Sequence, residues 1–354
     1  MPNPAGARTL NRRPAMHAIR LEAPGRLQPA ELPSPPAPGP GEARVRVRRI
    51  GICGTDLHAF GGRQPFFTYP RVLGHELGVE VLAVGPDAAP LRVGDRCAVE
   101  PYLNCGACIA CRRGKPNCCA ALQVLGVHVD GGMTEELVLP ARKLHPSARL
   151  TLEQLALVET LGIGCHAVGR AGIEAGESVL VIGAGPIGLA VMQFAAEAGG
   201  RVIALDVNPA RLEFCRRQLG VTAAVDAGAG DPAATLRELA GGDLPTAVFD
   251  ATGNPASMQA SFAHAAPGGR LIFVGLFPGA VSFDDPQFHR RELTLLASRN
   301  ALPADFRRII ALVEAGRIDT TPWITHRAAL ADLPGAFPAW TRPETGVIKA
   351  MVEA

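Results

Sequence analysis

The sequence predicts an α/β protein of two parts: a β-rich, barrel-like region, then a doubly wound parallel sheet. Three observations point there. The chain has 354 residues, more than the roughly 150 of one ordinary domain. Up to about Val158, short runs alternate apolar and polar at period two between Gly/Pro turns. From about Thr160, apolar strands alternate with amphipathic helices instead. Hydrophobic residues make up 47%, enough for a sizeable core, and the formal charge is only +2. That balance excludes a binder held by nucleic-acid backbone electrostatics and a charge-extended disordered chain. The 40 glycines and 31 prolines predict many tight turns, and nine cysteines are too few for a disulfide scaffold.

In chain order, residues 1–15 lack the apolar run of a secretory signal and read as a disordered extension. Ala43–Arg49 (ARVRVRR) and Gly78–Val84 have strand periodicity, with turns PSPPAPGPGE at 33–42 and VGPDAAPLRVGD at 84–95. In the second part, strands are predicted at Ser178–Ile182, Arg201–Asp206, Thr246–Ala251 and Arg270–Val274. Helices are predicted at Ile187–Ala198, Pro209–Leu219 and Ala256–Ala265. Val179–Ala196 is 18 uncharged residues, near the length of a membrane span. The Gly183, Gly185, Pro186 and Gly188 in its middle fit a strand–turn–helix better. After Asn300, a helix at Asp305–Ala315 and short closing segments are expected to return to the first region. The expected division is thus 16–159 with 298–354, and 160–297.

SVLVIGAGPIG at 178–188 sets Gly183, Gly185 and Gly188 as G-x-G-x-x-G between an apolar strand and a helix. The glycines allow a tight turn, close approach to a pyrophosphate and close helix packing, and the helix N-terminus favours the phosphates. Asp206 ends the next strand, 18 residues past Gly188, where a carboxylate accepts the ribose hydroxyls and repels a 2′-phosphate. NAD is therefore expected over NADP. Arg211 could blunt that repulsion, but reads first as a solvated helix residue.

CGACIACRRGKPNCC at 105–119 gives Cys105, Cys108, Cys111 and Cys119 as C-x2-C-x2-C-x7-C. Four thiolates on a short lobe suit a closed, structural zinc site, with Cys118 pointing away. An iron–sulfur cluster is the rival, less favoured because the last gap is long and no Cys-Pro follows. Disulfides are disfavoured in the cytoplasmic setting expected of the chain. A third set lies in GICGTDLH (51–58) and LGHE (73–76): Cys53 and His75, with Glu76 and Glu159 offering oxygen. Such a mixed set leaves a coordination position for substrate, as catalytic zinc requires.

GICGTDLH, VLGHE, the cysteine lobe and VIGAGPIG, in this order, resemble the zinc-dependent medium-chain alcohol/polyol dehydrogenases over roughly Met16–Ala354. The resemblance implies a GroES-like catalytic domain, a Rossmann NAD domain, two zincs per chain and a homo-oligomer, tetramer favoured over dimer. It implies zinc ligation by Cys53, His75 and either Glu76 or Glu159. It implies substrate-oxygen contact by Thr55 and a proton relay ending at His58. It also places Pro186, Ile187, Gly275 and Leu276 beside the cofactor with the glycines, Asp206 and Arg211. One departure is Thr160, where the polyol branch usually has proline. GGRQPFFTYPRVLGHE, LGVHVDGG, VGLFPG and DDPQFHRRELTLLASRN further resemble bacterial L-galactonate/L-gulonate 5-dehydrogenases. That likeness implies a sugar-acid substrate, whose carboxylate His128 or Arg299 would meet. Sorbitol- or threonine-type dehydrogenases and a zinc-free quinone reductase of the same fold are the alternatives. A zinc-dependent nucleic-acid module is disfavoured, because Arg112, Arg113 and Lys115 are few and lack an aromatic platform.

Overall fold

The computed structural model describes residues 14–65 and 67–354, and counts refer to these. The extension expected at 1–15 falls almost wholly outside them, and the first strand already starts at Ala15.

The first region comprises β1 (Ala15–Ala23), β2 (Arg26–Pro33), β3 (Glu42–Ile52), α1 (Gly54–Phe60), β4 (Arg71–Val72) and β5 (Glu76–Val84). It continues with β6 (Arg96–Val99), β7 (Tyr102–Leu103), α2 (Ile109–Arg112), β8 (Gln123–Val124), β9 (Glu136–Pro140) and β10 (Leu144–Pro146). Helix α3 (Leu152–Ala171) leads into the second region. There follow β11 (Ser178–Ile182), α4 (Pro186–Glu197), β12 (Arg201–Asp206), α5 (Pro209–Leu219), β13 (Ala223–Asp226), α6 (Ala233–Leu239) and β14 (Ala247–Asp250). Then come α7 (Pro255–Ala260), β15 (Arg270–Phe273), α8 (Asp285–Arg290) and β16 (Thr294–Ala297). The chain closes with α9 (Pro303–Glu314), β17 (Ile324–Ala329), α10 (Leu333–Trp340) and β18 (Lys349–Glu353).

In the first region β3 is the organising strand. Ala43, Val45 and Val47 are buried, while Arg44 and Arg48 turn outward to Glu136 and Glu80. Its sheet runs β10-β6-β5-β3-β18-β17, with β9 also on β3, so the C-terminal strands complete the first region's sheet. The second region is a six-stranded sheet, parallel throughout, in the order β13-β12-β11-β14-β15-β16. Its order reverses between β11 and β14, and ligands of such sheets bind in the crevice there, beyond the strand C-termini.

Several elements depart from the sequence reading. Helix α7 stops at Ala260 and continues as a 3-10 turn to His264, so it is not one helix to Ala265. Strand β13, helix α6 and edge strand β16 were not predicted. Nor was α3, which runs unbroken through residues 159 and 160, where the boundary was expected. The helix starts at a capping box in which the Gln154 N–H donates to Thr151 Oγ1 (3.2 Å) and the Thr151 N–H to Gln154 Oε1 (2.9 Å). It ends at Gly172, with φ of 62°. Fourteen of its 20 residues are buried, so it lacks the one-sided stripe that marks a surface helix. It packs against α4 and α9 and against β5 and β6, which sets Glu159 between the regions. No helix among the described residues is long and apolar enough to cross a membrane.

Candidate active site

Cys53 caps the N-terminus of α1, and its backbone N–H donates to Asp56 Oδ2 (2.9 Å). Thr55 and His58 therefore stand on a helix, three residues apart on one side. Asp56 is buried, and its Oδ1 faces His75 Nδ1 at 3.7 Å. His75 and Glu76 enter β5 beside β3, where Glu76 pairs with Gly51. A Cβ at Gly51 would lie 2.0 Å from Glu76 Oε2, so glycine there makes room for the carboxylate. Donor atoms of Cys53, His75 and Glu76 lie within 4.8 Å of one another. Glu159 is buried nearby but outside that group, and Tyr102 donates its hydroxyl to Glu159 Oε1 (2.5 Å). Thr160 does not interrupt α3; it is fully buried.

Lys349 is the residue sequence reasoning missed. From β18 its ammonium donates to Glu76 Oε1 and Oε2 (2.7 and 2.8 Å) and to the Ile52 carbonyl (3.1 Å), and both side chains are 1% exposed. A lysine in a short C-terminal strand has no local pattern to announce it. Burial alone would push the Lys349 ammonium down, but Glu76 and Cys53 outweigh it and hold it above the ordinary lysine range. Burial likewise opposes a charged His75, yet Asp56 and Cys53 hold it well up. Burial raises the Asp56 and Glu159 carboxyls. Three buried carboxyls and a half-buried thiol thus share one buried lysine and one buried imidazole. This donor set, with soft sulfur, nitrogen and oxygen together, fits a divalent zinc.

In the cysteine lobe, Sγ atoms of Cys105, Cys108, Cys111 and Cys119 converge within 4.8 Å, and Cys118 is exposed outside the group. All four cysteines are free. Backbone N–H groups of Ala107 and Cys108 donate to Cys105 Sγ (both 3.4 Å), and Ala120 N–H donates to Cys108 Sγ (3.5 Å). Donors from Cys111 and Ala120 pull the Cys108 thiol down to about 6, into the range where a thiolate is ready to bind metal.

In the cofactor crevice, Gly183 follows β11 with φ of 97°. A Cβ on Gly188 would lie 1.7 Å from the Gly183 carbonyl oxygen, whereas at Gly185 it would meet only Arg211, at 3.4 Å. The first contact is a packing requirement; the open space at Gly185 is room for a phosphate. Pro186 and Ile187 open α4. Asp206 accepts from Ala184 N–H (2.5 Å) and Asn208 N–H (2.8 Å), which aims it at the turn. Arg211 is not a solvated helix residue: it donates to the Ala184 carbonyl (3.1 Å) and the Val347 carbonyl (3.0 Å), clamping the glycine turn to the C-terminal segment. A cavity of about 490 Å³ runs from Gly183 and Asp206 past Pro232 to His264. Gly275 packs on Gly253, where a Cβ would be 2.3 Å from the backbone nitrogen, and Leu276 is 65% exposed. His128 accepts from Val124 N–H through Nδ1 (3.1 Å). Arg299 is exposed beside Cys118 and Leu122, and its carbonyl accepts from Asn117 Nδ2 (2.9 Å).

Residues 39–149 match the alcohol dehydrogenase GroES-like domain, and residues 186–315 match the zinc-binding dehydrogenase domain. The L-galactonate-5-dehydrogenase of Escherichia coli K12 is 44% identical over 82% of this chain and 85% of its own. The chain is a member of the zinc-dependent medium-chain dehydrogenase family. Another relative of this dehydrogenase is the 2-dehydro-3-deoxy-L-galactonate 5-dehydrogenase of Pseudoalteromonas atlantica, 34% identical over 86% of this chain and 89% of its own. Among solved structures, RspB of E. coli CFT073, described as an alcohol dehydrogenase complexed with NADH, superposes with a TM-score of 0.89. It is 30% identical, over 96% of this chain and 99% of its own. A zinc-binding dehydrogenase of Sinorhizobium meliloti bound to NADP gives 0.88 at 31% identity, over 97% and 100%.

Proposed function

We propose that this dehydrogenase oxidises a secondary alcohol of a sugar acid, of the L-galactonate/L-gulonate type, with NAD. The convergence of Cys53, His75 and Glu76 within 4.8 Å is the observation that carries the reading. The sugar-acid class draws its support from the 44% identical relative. Zinc held by Cys53, His75 and Glu76 supplies Lewis acidity toward an alcohol oxygen, and NAD in the crevice supplies the hydride acceptor. Thr55, the second residue of α1, would accept the substrate hydroxyl proton while passing its own on toward His58. His58, exposed on the same side of the helix, hands it to solvent. Partial desolvation, and then the Arg63 cation, hold His58 below its ordinary range, so at neutral pH it is an acceptor. The grouping of Glu76 with Cys53 and His75, and the Tyr102 bond that holds Glu159, support Glu76 rather than Glu159 as the third protein ligand. Asp206 would hold the adenosine ribose, and Arg299 is a candidate contact for the substrate carboxylate. Cys105, Cys108, Cys111 and Cys119 hold a second, structural zinc. The catalytic unit is 16–159 with 298–354, and the cofactor unit 160–297. A cytoplasmic homo-oligomer completes the reading; the unpaired edge of β16, with Leu295 38% exposed, supports self-association.

The test is NAD reduction across L-galactonate, L-gulonate, sorbitol, galactitol and L-threonine, repeated with NADP. The reading expects highest kcat/KM with an aldonate and NAD. Turnover confined to threonine or polyols, or a tenfold preference for NADP, would contradict it.

A further inference from the structure

Arg71 was not singled out in the sequence, and its surroundings are unusual. It sits in β4, four residues before His75, opposite the buried Leu21 of β1. Its side chain is 17% exposed, and its Nε is buried without a hydrogen-bond partner. The rest of the guanidinium is lightly held: Nη2 donates to the exposed Thr68 Oγ1 (2.9 Å), and Nη1 lies 3.5 Å from Asp130 Oδ1. Asp130 is 56% exposed, and that same oxygen already accepts from Val72 N–H (3.0 Å). Asp130 therefore neutralises Arg71 weakly.

His128 stands beside it. The Val124 N–H donates to its Nδ1, so the neutral ring carries its proton on Nε2 and offers a donor there. Burial, then Arg299, then Arg71 push His128 below its ordinary range, which keeps it neutral. Arg71 meets the 124–132 loop at Asp130, two residues past His128, and the charges of Arg71 and Arg299 both bear on that imidazole. That loop borders the metal centre. Val124 pairs with Tyr102, whose hydroxyl is on Glu159, and the Gly131 N–H donates to the Val72 carbonyl just ahead of His75. A weakly neutralised arginine with a free buried Nε, next to the loop that carries a neutral N–H donor and borders the metal centre, suits an anion. A sugar acid oxidised near one end carries its carboxylate at the other.

We propose that Arg71, with His128 as a neutral donor beside it, is the carboxylate-binding end of the substrate pocket and makes the enzyme prefer sugar acids to uncharged polyols. This rests on the sugar-acid reading above. The planar fork of Arg71 meets the two carboxylate oxygens together, a geometry lysine cannot copy.

The test compares wild type, Arg71→Gln, Arg71→Lys and His128→Gln on L-galactonate and on galactitol, with NAD affinity measured in parallel. Arg71→Gln should raise KM for L-galactonate by about tenfold to a hundredfold with kcat little changed. Its kcat/KM on galactitol and its NAD affinity should stay within about twofold of wild type. Arg71→Lys and His128→Gln should give intermediate losses confined to the aldonate, and they carry the test if Arg71→Gln does not fold. Equal losses on both substrates, or an unchanged KM for the aldonate, would overturn the assignment while the sugar-acid reading stands. A wild type that oxidises galactitol but no aldonate would overturn both.

Discussion

Replacing Lys349 by methionine removes the cation from a pair that is 1% exposed on each side. Three hydrogen bonds go with it: two to Glu76, at 2.7 and 2.8 Å, and one to the Ile52 carbonyl at 3.1 Å. Glu76 cannot retreat to water, because β3 and β5 enclose it and Gly51 leaves it only its present slot. Breaking one side of a buried pair typically costs about 3–5 kcal/mol. In metal-free protein, Lys349→Met should therefore lower unfolding free energy by about 3–5 kcal/mol. The double variant Lys349→Met/Glu76→Gln should recover most of that, because no bare charge remains. Saturating zinc should shrink the single variant's deficit, since Glu76 regains a cation. The Lys349 ammonium is held above its ordinary range, so its contribution is complete below about pH 10 and fades only as pH climbs through the raised value. Urea unfolding at neutral pH, with chelator and with zinc, measures all three states. A single variant within about 1 kcal/mol of wild type, or a double variant as unstable as the single, would refute the reasoning.

Cys108→Ser should remove one zinc and lower the unfolding midpoint while leaving the catalytic zinc, because a closed thiolate site contributes folding energy directly; metal analysis beside thermal unfolding checks it. Asp206→Gly with Asn208→Arg should turn the NAD preference toward NADP. It should also cost about 1–3 kcal/mol of stability, since the Ala184 N–H loses its acceptor. His58→Gln should keep both metals and NAD affinity but slow turnover by about tenfold to a hundredfold near neutral pH. That loss should shrink as pH rises and be partly rescued by imidazole; a pH-independent, unrescued loss means His58 only packs. Arg63→Ala removes a like charge, so the His58 pKa should rise and the acid limb of the pH–rate profile should move to higher pH.

The parallel sheet was legible because β11, β12 and β14 are near-continuous apolar runs, punctuated by glycine turns and helix caps. The grouping of candidate metal donors was legible because Cys53, His75 and the lobe cysteines sit in short, dense motifs. What escaped was either periodic in no visible way or distant in the chain. Helix α3 is buried nearly all round, so no stripe marked it. Alanine- and glycine-rich 220–245 gave no clear period for β13 and α6. Lys349 meets Glu76 across 273 positions, and Tyr102 meets Glu159 across 57. Neither partnership has a local signature. The different surroundings of Glu76, grouped with Cys53 and His75, and of Glu159, bonded to Tyr102, likewise have no local signature, because both are acids beside apolar runs.

Cys53, His75 and Glu76 are proposed to hold the zinc at which the alcohol is oxidised. Zinc content per chain, measured together with NAD reduction by L-galactonate in wild type and Cys53→Ser, tests it most directly. The account predicts two zincs and turnover in wild type, and one zinc, a native thermal transition and no detectable turnover in Cys53→Ser. A Cys53→Ser protein that keeps both zincs, or that loses one and still reduces NAD at the wild-type rate, would contradict it.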